Sequence, residues 1–280
     1  MFSMFSMFRP ALGPSLVAVT LVGGAAVGAA TLKPESVAAW STYIDATEAR
    51  IAREVKQGNR FLATDLEADA AARRRGLAAG EILVDEVVTT DHDGEDIDMP
   101  SAMLHHWRGA VFIPGASLDQ MLEELGTGAP GAKQEDVLAS RVLSRTPDAT
   151  KIFLRVQRKK FVTVVYNTEH VVTFDRLGPT RATSHSMATR IAEVQDANTP
   201  NERELTPGRD RGFLWRWNAY WRYEQVPGGV IAECESVSLS RGIPTIFRVL
   251  VGRLIRSTAE ESMERTLVTF RERFADRARP

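Results

Sequence analysis

GFLWRWNAYWRYEQVPGGVIAECESVSLSRGIPTIFRVLVGRLIRSTAEESMERTLVTFRERF, residues 212–274, is the stretch that decides the fold. Its first half, 212–241, alternates apolar and polar residues on either side of Pro227-Gly228, the pattern of two long strands in a hairpin. Its second half, 245–274, has no proline and one internal glycine, Gly252. Apolar residues there recur at Phe247, Leu250, Leu254, Met263, Leu267, Phe270 and Phe274, mostly three, four or seven apart. That spacing predicts a helix with one buried stripe, about 45 Å long at the α-helical rise. A long helix gripped by a curved antiparallel sheet encloses a cavity, so the predicted class is α+β with a binding function.

Working back from this stretch, six strands are expected over 136–145, 151–158, 161–174, 181–194, 212–224 and 229–241. Most links are tight: Lys159-Lys160 joins the second and third, and Pro227-Gly228 the last two. The exception, 195–211, carries Pro200, Pro207 and Gly208, and a loop this long in a compact domain is often functional. Before these strands come a strand over 102–113, a break at Pro114-Gly115, and a helix capped by Ser117 that carries Leu118, Met121, Leu122 and Leu125.

The order of strand, helix, turn, six antiparallel strands and a long C-terminal helix resembles the START-like, or SRPBCC, helix-grip superfamily. The segments FIPGASLDQMLEEL (112–125) and ESVSLSRGIPTIF (235–247) carry the resemblance, which covers about 102–274. It implies an exported bacterial branch whose cavity takes lipids, sterols, hormones or polyketides, with some members acting as cyclases or hydroxylating enzymes. It also implies that 195–211 borders the cavity mouth. Fold alone does not choose among these functions.

Residues 31–100 form an extension outside this minimal fold, and 101–280 the helix-grip domain. In the extension, Pro34 opens a helix to Lys56 with Val37, Trp40, Ile44, Ile51 and Val55 on one face. Arg73, Arg74 and Arg75 read as a solvated helix face, and 81–88 as a short strand. The acidic loop 89–100 fails as a calcium loop, because Gly94 stands fourth and Ala102 replaces the final glutamate. Residues 1–30 read as an export signal: Arg9, an apolar run over 16–27, then small Gly28 and Ala30 at the cleavage positions. Cleavage after Ala30 would place the chain in the periplasm or outside the cell.

Thirty-five basic and 36 acidic residues give a net charge of −1, and no basic stripe suggests nucleic acid. Cys234 is the only cysteine, so an internal disulfide and a cysteine metal site are excluded. The histidines are scattered; His105 and His106 point to opposite faces of a strand, while His170 and His185 could oppose each other across a hairpin. No phosphate loop, nucleophile elbow or HExxH helix is present. No metal or cofactor is implied.

The last hairpin can be registered. Val226 pairs with Gly229, Arg222 with Glu233, Tyr220 with Glu235 and Asn218 with Val237. One face then carries Leu214, Arg216, Asn218, Tyr220 and Arg222 with Ile231, Glu233, Glu235, Val237 and Leu239. The other carries Phe213, Trp215, Trp217, Ala219, Trp221 and Tyr223 with Ala232, Cys234, Ser236 and Ser238. Either face could turn inward. Burial of apolar surface alone would turn the aromatic face inward. The layout that the resemblance implies, with parity counted back from Gly242-Ile243-Pro244, favours Glu235 and Val237, with the Arg–Glu–Tyr network holding a polar head and Leu214, Val237, Leu239, Phe247, Leu250 and Leu254 an apolar tail. The tryptophan face would then need cover from the Trp40 helix. A Lys159-Lys160 turn puts Ile152, Leu154, Val156, Phe161, Thr163, Val165, Asn167 and Glu169 inward, with Arg190, Ser184 and Ser186 beside them. Asn167, Glu169 and Arg190 complete the expected site.

The resulting reading is a non-enzymatic, exported protein holding a hydrophobic or amphipathic small molecule, with transient membrane contact as a further expectation. A cyclase- or hydrolase-type enzyme using the same carboxylates is one alternative. A protein-interaction module with a filled cavity is the other.

Overall fold

The computed structural model describes residues 29–127, 136–159, 163–242 and 248–275, leaving aside the side chains of 248–258. The chain opens with β1 (Ala30–Thr31), α1 (Pro34–Val55), a 3-10 turn (Ala63–Leu66) and α2 (Ala70–Ala78). Next come β2 (Ile82–Glu86), β3 (Ala102–Pro114) and α3 (Leu118–Gly126). Four strands follow: β4 (Val137–Arg145), β5 (Thr150–Lys159), β6 (Thr163–Arg176) and β7 (Arg181–Gln195). Two short ones, β8 (Arg203–Glu204) and β9 (Arg209–Asp210), interrupt the long link. The hairpin β10 (Arg216–Val226) and β11 (Gly229–Arg241) then leads to α4 (Arg248–Ala275). This is the α+β order of the START-like helix-grip fold.

One antiparallel sheet runs in the order β2-β3-β11-β10-β7-β6-β5-β4, with β8 beside β7. The Pro227-Gly228 turn sets the last hairpin as the sequence predicts: Val226 opposes Gly229, Arg222 opposes Glu233 and Tyr220 opposes Glu235. Gly228 takes φ +85° there, a conformation that a side chain would strain.

The middle hairpin departs from expectation. Lys159 pairs with Thr163, and Val156 faces Tyr166 rather than Thr163. The slip is by an odd number of residues, and every such slip moves side chains to the opposite face. Ile152, Leu154 and Val156 therefore stand with Tyr166, Thr168 and His170, while Asn167 and Glu169 stand with Arg155 and Phe153. Phe161 lies outside the described residues.

The helix α4 seats on the concave face. Met263, Leu267 and Phe274 are buried there with Trp107, Val111, Tyr223, Ala232 and Cys234. Phe270 stacks on Trp221 with ring centroids 4.6 Å apart. Gly109 on β3 makes the close approach possible, since a Cβ there would fall 2.6 Å from Leu267 Cδ1 and 2.8 Å from the Leu83 carbonyl. Across the concavity, Arg265 reaches Asp136, just before β4, at 3.7 Å. α3 closes one end, its Leu118 and Met121 buried and its Glu124 2.7 Å from Arg273.

The extension covers the convex face. Trp40, Tyr43 and Ile44 of α1 pack on Tyr220, Val237 and Leu239. Phe61, Leu62 and Leu77 pack on Ala110 and Ile231. The expectation of which face turns toward α4 is thereby corrected. Trp217, Trp221 and Tyr223 turn to the α4 side and the Arg–Glu face turns to α1; Trp215, which precedes β10, is buried under α1 with Tyr220 and Val237. Both faces are buried, which is why alternation could not separate them: a sheet covered on both sides has no solvent face to identify.

Candidate functional site

On the convex side the sheet meets the extension through ionised groups rather than a cavity. Glu233 is 2% exposed. It accepts the backbone N–H groups of Ala63 and Thr64 at 2.8 and 2.9 Å and the Thr64 hydroxyl at 2.8 Å. The 3-10 turn thus caps a buried carboxylate with three donors. Arg222 donates to Glu54 at 2.5 Å and to the Phe61 carbonyl at 3.2 Å.

Glu235 accepts from His106 Nε2 at 2.7 Å and from Arg50. His106 Nδ1 faces the Tyr43 hydroxyl at 2.7 Å, and that hydroxyl also takes the Thr89 N–H at 3.0 Å. Because Glu235 can only accept while ionised, the imidazole proton sits on Nε2 and Tyr43 donates to Nδ1. Burial works against the Glu235 charge, but the His106 hydrogen bond and the charge and hydrogen bond of Arg50 outweigh it, bringing its pKa to about 2. Burial lowers the His106 pKa despite the pull of Glu235. Apart from Arg50 Nε, which is buried without a hydrogen-bond partner among the described residues, the groups of this network are paired, and the network joins α1 to β3, β11 and β10. It is an internal joint.

The remaining expected residues on this side are dispersed. Tyr220 donates to Glu48 at 2.9 Å and receives Asn218 Nδ2 at 3.2 Å. Val237 and Leu239 are fully buried under α1. Arg216, expected within the Arg–Glu–Tyr network, instead donates to the Trp215 carbonyl at 3.1 Å. Asn167 reaches Glu204 at 2.8 Å, Arg190 also meets Glu204, and Glu169 lies 2.6 Å from Lys151. With Arg155 on Glu202 at 2.8 Å, the contacts to Glu202 and Glu204 hold the long link against the convex face instead of at the mouth, while Glu169–Lys151 joins β6 to β5. An open pocket of about 290 Å³ remains beneath it, lined by Gln157, Thr163, Asn198 and Arg211 among others. Leu214 precedes β10 and escapes its parity, packing with Trp217, Tyr166 and Ile191 on the concave side. Phe247 and the side chains of Leu250 and Leu254 fall outside the described residues.

The concave floor beyond the α4 seat has a different chemistry. Ile152, Leu154, Val172, Phe174 and Trp217 are half-buried there. At its centre His170 is buried, edge-on to Trp217 at 5.1 Å between ring centroids. Thr168 donates to the Leu154 carbonyl at 3.1 Å, so its oxygen receives His170 Nε2–H at 3.0 Å, and the Ser186 hydroxyl faces Nδ1 at 3.3 Å. Burial lowers the His170 pKa to about 4, leaving the ring neutral at neutral pH. Ser184 meets the Tyr223 hydroxyl at 3.1 Å and Trp217 Nε1 donates to Ser236 at 3.1 Å. The middle of the floor is therefore apolar and aromatic, with neutral hydroxyls and one neutral imidazole.

His105 and His106 do point to opposite faces: His105 meets Ser240 at 2.9 Å while His106 joins Glu235. His170 and His185 do not oppose each other, since His170 pairs with Ala188 and His185 stacks on Tyr220 across the sheet. In the acidic loop, Asp91 accepts the N–H groups of Asp93 and Glu95, each at 2.9 Å, which accounts for its carboxylate by local turn geometry. Cys234 is buried beside Trp221, and burial raises its pKa. No described helix is long and apolar enough to cross a membrane.

No family model matches the chain, and no curated protein does. Solved structures similar to it include a STAR-related lipid transfer protein fragment from Xanthomonas axonopodis, at 16% identity and TM-score 0.42, covering 70% of this chain and 99% of that one. Human StAR-related lipid transfer protein 5 shows 15% identity and TM-score 0.39 over 84% and 98% of the two chains. The Zhui aromatase/cyclase from Streptomyces sp. R1128 shows 12% identity and TM-score 0.34 over 63% and 94%. With identities and TM-scores this low, the pairings decide nothing about ligand or activity. The fold assignment stands on element order and strand pairing.

Proposed function

We propose that the concave floor holds a hydrophobic or amphipathic small molecule, lipid-like in chemistry, between the sheet and α4. One observation carries the reading. Ile152, Leu154, Val172, Phe174 and Trp217 keep part of their surface open although they lie on the concave side, around the buried His170. Apolar walls with a few fixed polar groups are the usual make-up of a small-molecule site. With no charge in the middle of the floor, a neutral body fits there and a charged head belongs nearer the rim.

The cyclase- or hydrolase-type reading loses its intended carboxylates, because Glu233 and Glu235 lie on the convex side with their lone pairs occupied. Export remains part of the proposal, supported by Arg9 and the apolar run over 16–27. The chain purified from the cells that make it should carry a bound small molecule in a native mass spectrum, and its intact mass should begin at Thr31. A spectrum of bare protein, unchanged after incubation with a total lipid extract, would overturn the binding reading.

A further inference from the structure

The strand β4 ends the sheet, and its outer edge has no neighbour among the described residues. Its pairing with β5 slips twice, between Val137 and Ala139 and between Val142 and Ser144. Each slip leaves one extra residue without a partner on β5, and both are leucines, Leu138 and Leu143. They are 43% and 39% exposed, and Val142 between them 38%. Arg141 lies in the same run with its guanidinium 4.3 Å over the Phe153 ring, and Arg145 donates to the Thr127 carbonyl at 2.5 Å. Neither is among the described ion pairs, whereas Lys151, Arg155 and Arg158 on the neighbouring strand each meet a carboxylate.

Bulges and cations on an edge strand usually guard it against pairing with another chain. That role accounts for the slips and the arginines. It does not account for leucine at both bulged positions, where guarding is served by a polar side chain. A second copy or an extended peptide adding to β4 would need a regular ladder, which the slips interrupt. A fluid interface needs none. It takes apolar side chains into the acyl boundary while arginines meet phosphate groups. We propose that β4 is a docking edge for an anionic lipid surface, with Leu138, Val142 and Leu143 entering it and Arg141 and Arg145 on the headgroups. This edge is independent of what the concave floor binds.

The test uses the full chain carrying Leu143→Cys, labelled with an environment-sensitive dye; the native Cys234 is buried. Leu138→Cys provides a second reading from the same edge. Val88→Cys is the comparator, 68% exposed just after β2 at the opposite end of the sheet order. With phosphatidylglycerol vesicles the dye at 143 and at 138 should shift to the blue and the dye at 88 should not, and phosphatidylcholine vesicles should shift none. Adding Arg141→Gln with Arg145→Gln should weaken the vesicle titration about 30-fold, the effect of removing two cations from an anionic surface. Equal shifts at 143 and 88, or none at 143 and 138, would overturn the proposal. So would a shift without vesicles that grows with protein concentration, which would assign the edge to a second copy.

Discussion

Replacing Glu235 with glutamine should separate charge from shape at the joint between sheet and extension. The residue is 4% exposed, with His106 Nε2 at 2.7 Å and Arg50 against its other face. Glutamine keeps the size but removes the negative charge, leaving Arg50 with Glu54 at 3.0 Å as its remaining acid. Breaking a buried pair from one side costs about 3–5 kcal/mol. Arg50 retains Glu54 and some solvent, its side chain being 21% exposed, so the lower figure applies. A carboxyl pKa brought from 4.5 to about 2 corresponds to a similar value, about 3 kcal/mol. The sign follows from linkage. The folded pKa lies below the unfolded one, so the contribution is present above about pH 4.5 and is lost as the pH falls toward 2. Urea unfolding of parent and Glu235→Gln should therefore differ by about 3 kcal/mol at pH 7, with the gap closing in acid. Burial lowers the pKa of both His105 and His170 to about 4, which weakens both proteins alike between pH 6.5 and 4 and cancels in the difference. His106, lowered by burial but held up by Glu235, weakens the variant more, so the gap widens as the pH falls below 6.5 before it closes as Glu235 itself protonates. A gap below about 0.5 kcal/mol at pH 7, or one that does not change down to pH 2, would refute the assignment.

Gly109→Ala should lower stability by about 1–3 kcal/mol, because the new methyl meets Leu267, Met263 and the Leu83 backbone; an unchanged melting temperature would contradict the close seat of α4. Trp40→Ala should cost about 3–5 kcal/mol in a single unfolding transition, since Trp40 shares a cluster with Tyr220 and Val237, and a separate early transition would show the extension melting alone. Cys234 should resist a thiol reagent until urea unfolds the chain, as burial both covers the thiol and raises its pKa; rapid labelling of the native protein would contradict its placement.

Much of the fold was legible in the sequence, for local reasons. Pro227-Gly228 determined the register of β10 and β11 because the turn admits one pairing, and Pro34 marked the start of α1. The site was less legible, because the deciding contacts come from far along the chain. Glu235 finds Arg50 and His106, 185 and 129 residues away, and Glu233 finds the amides of Ala63 and Thr64. No periodicity encodes such partners. The β5–β6 register failed because Lys159 pairs with Thr163, beyond the two-residue turn that Lys159-Lys160 suggested. Leu214 failed because β10 starts at Arg216, so strand parity does not extend back to it. The concave floor left one usable signal, the spacing of Trp217, Trp221 and Tyr223 on a single face.

The central claim is that the binding surface is the concave floor and not the charged convex joint. A dansyl-labelled fatty acid titrated into parent, Leu154→Arg and Glu235→Gln tests it directly, with melting curves to confirm that each is folded. Leu154 is half-buried on the floor, with its carbonyl bonded to Thr168 beside His170, so a cation there should abolish the fluorescence rise, while Glu235→Gln should bind like the parent. A folded Leu154→Arg protein that binds as tightly as the parent, beside a Glu235→Gln protein that does not bind, would contradict the account.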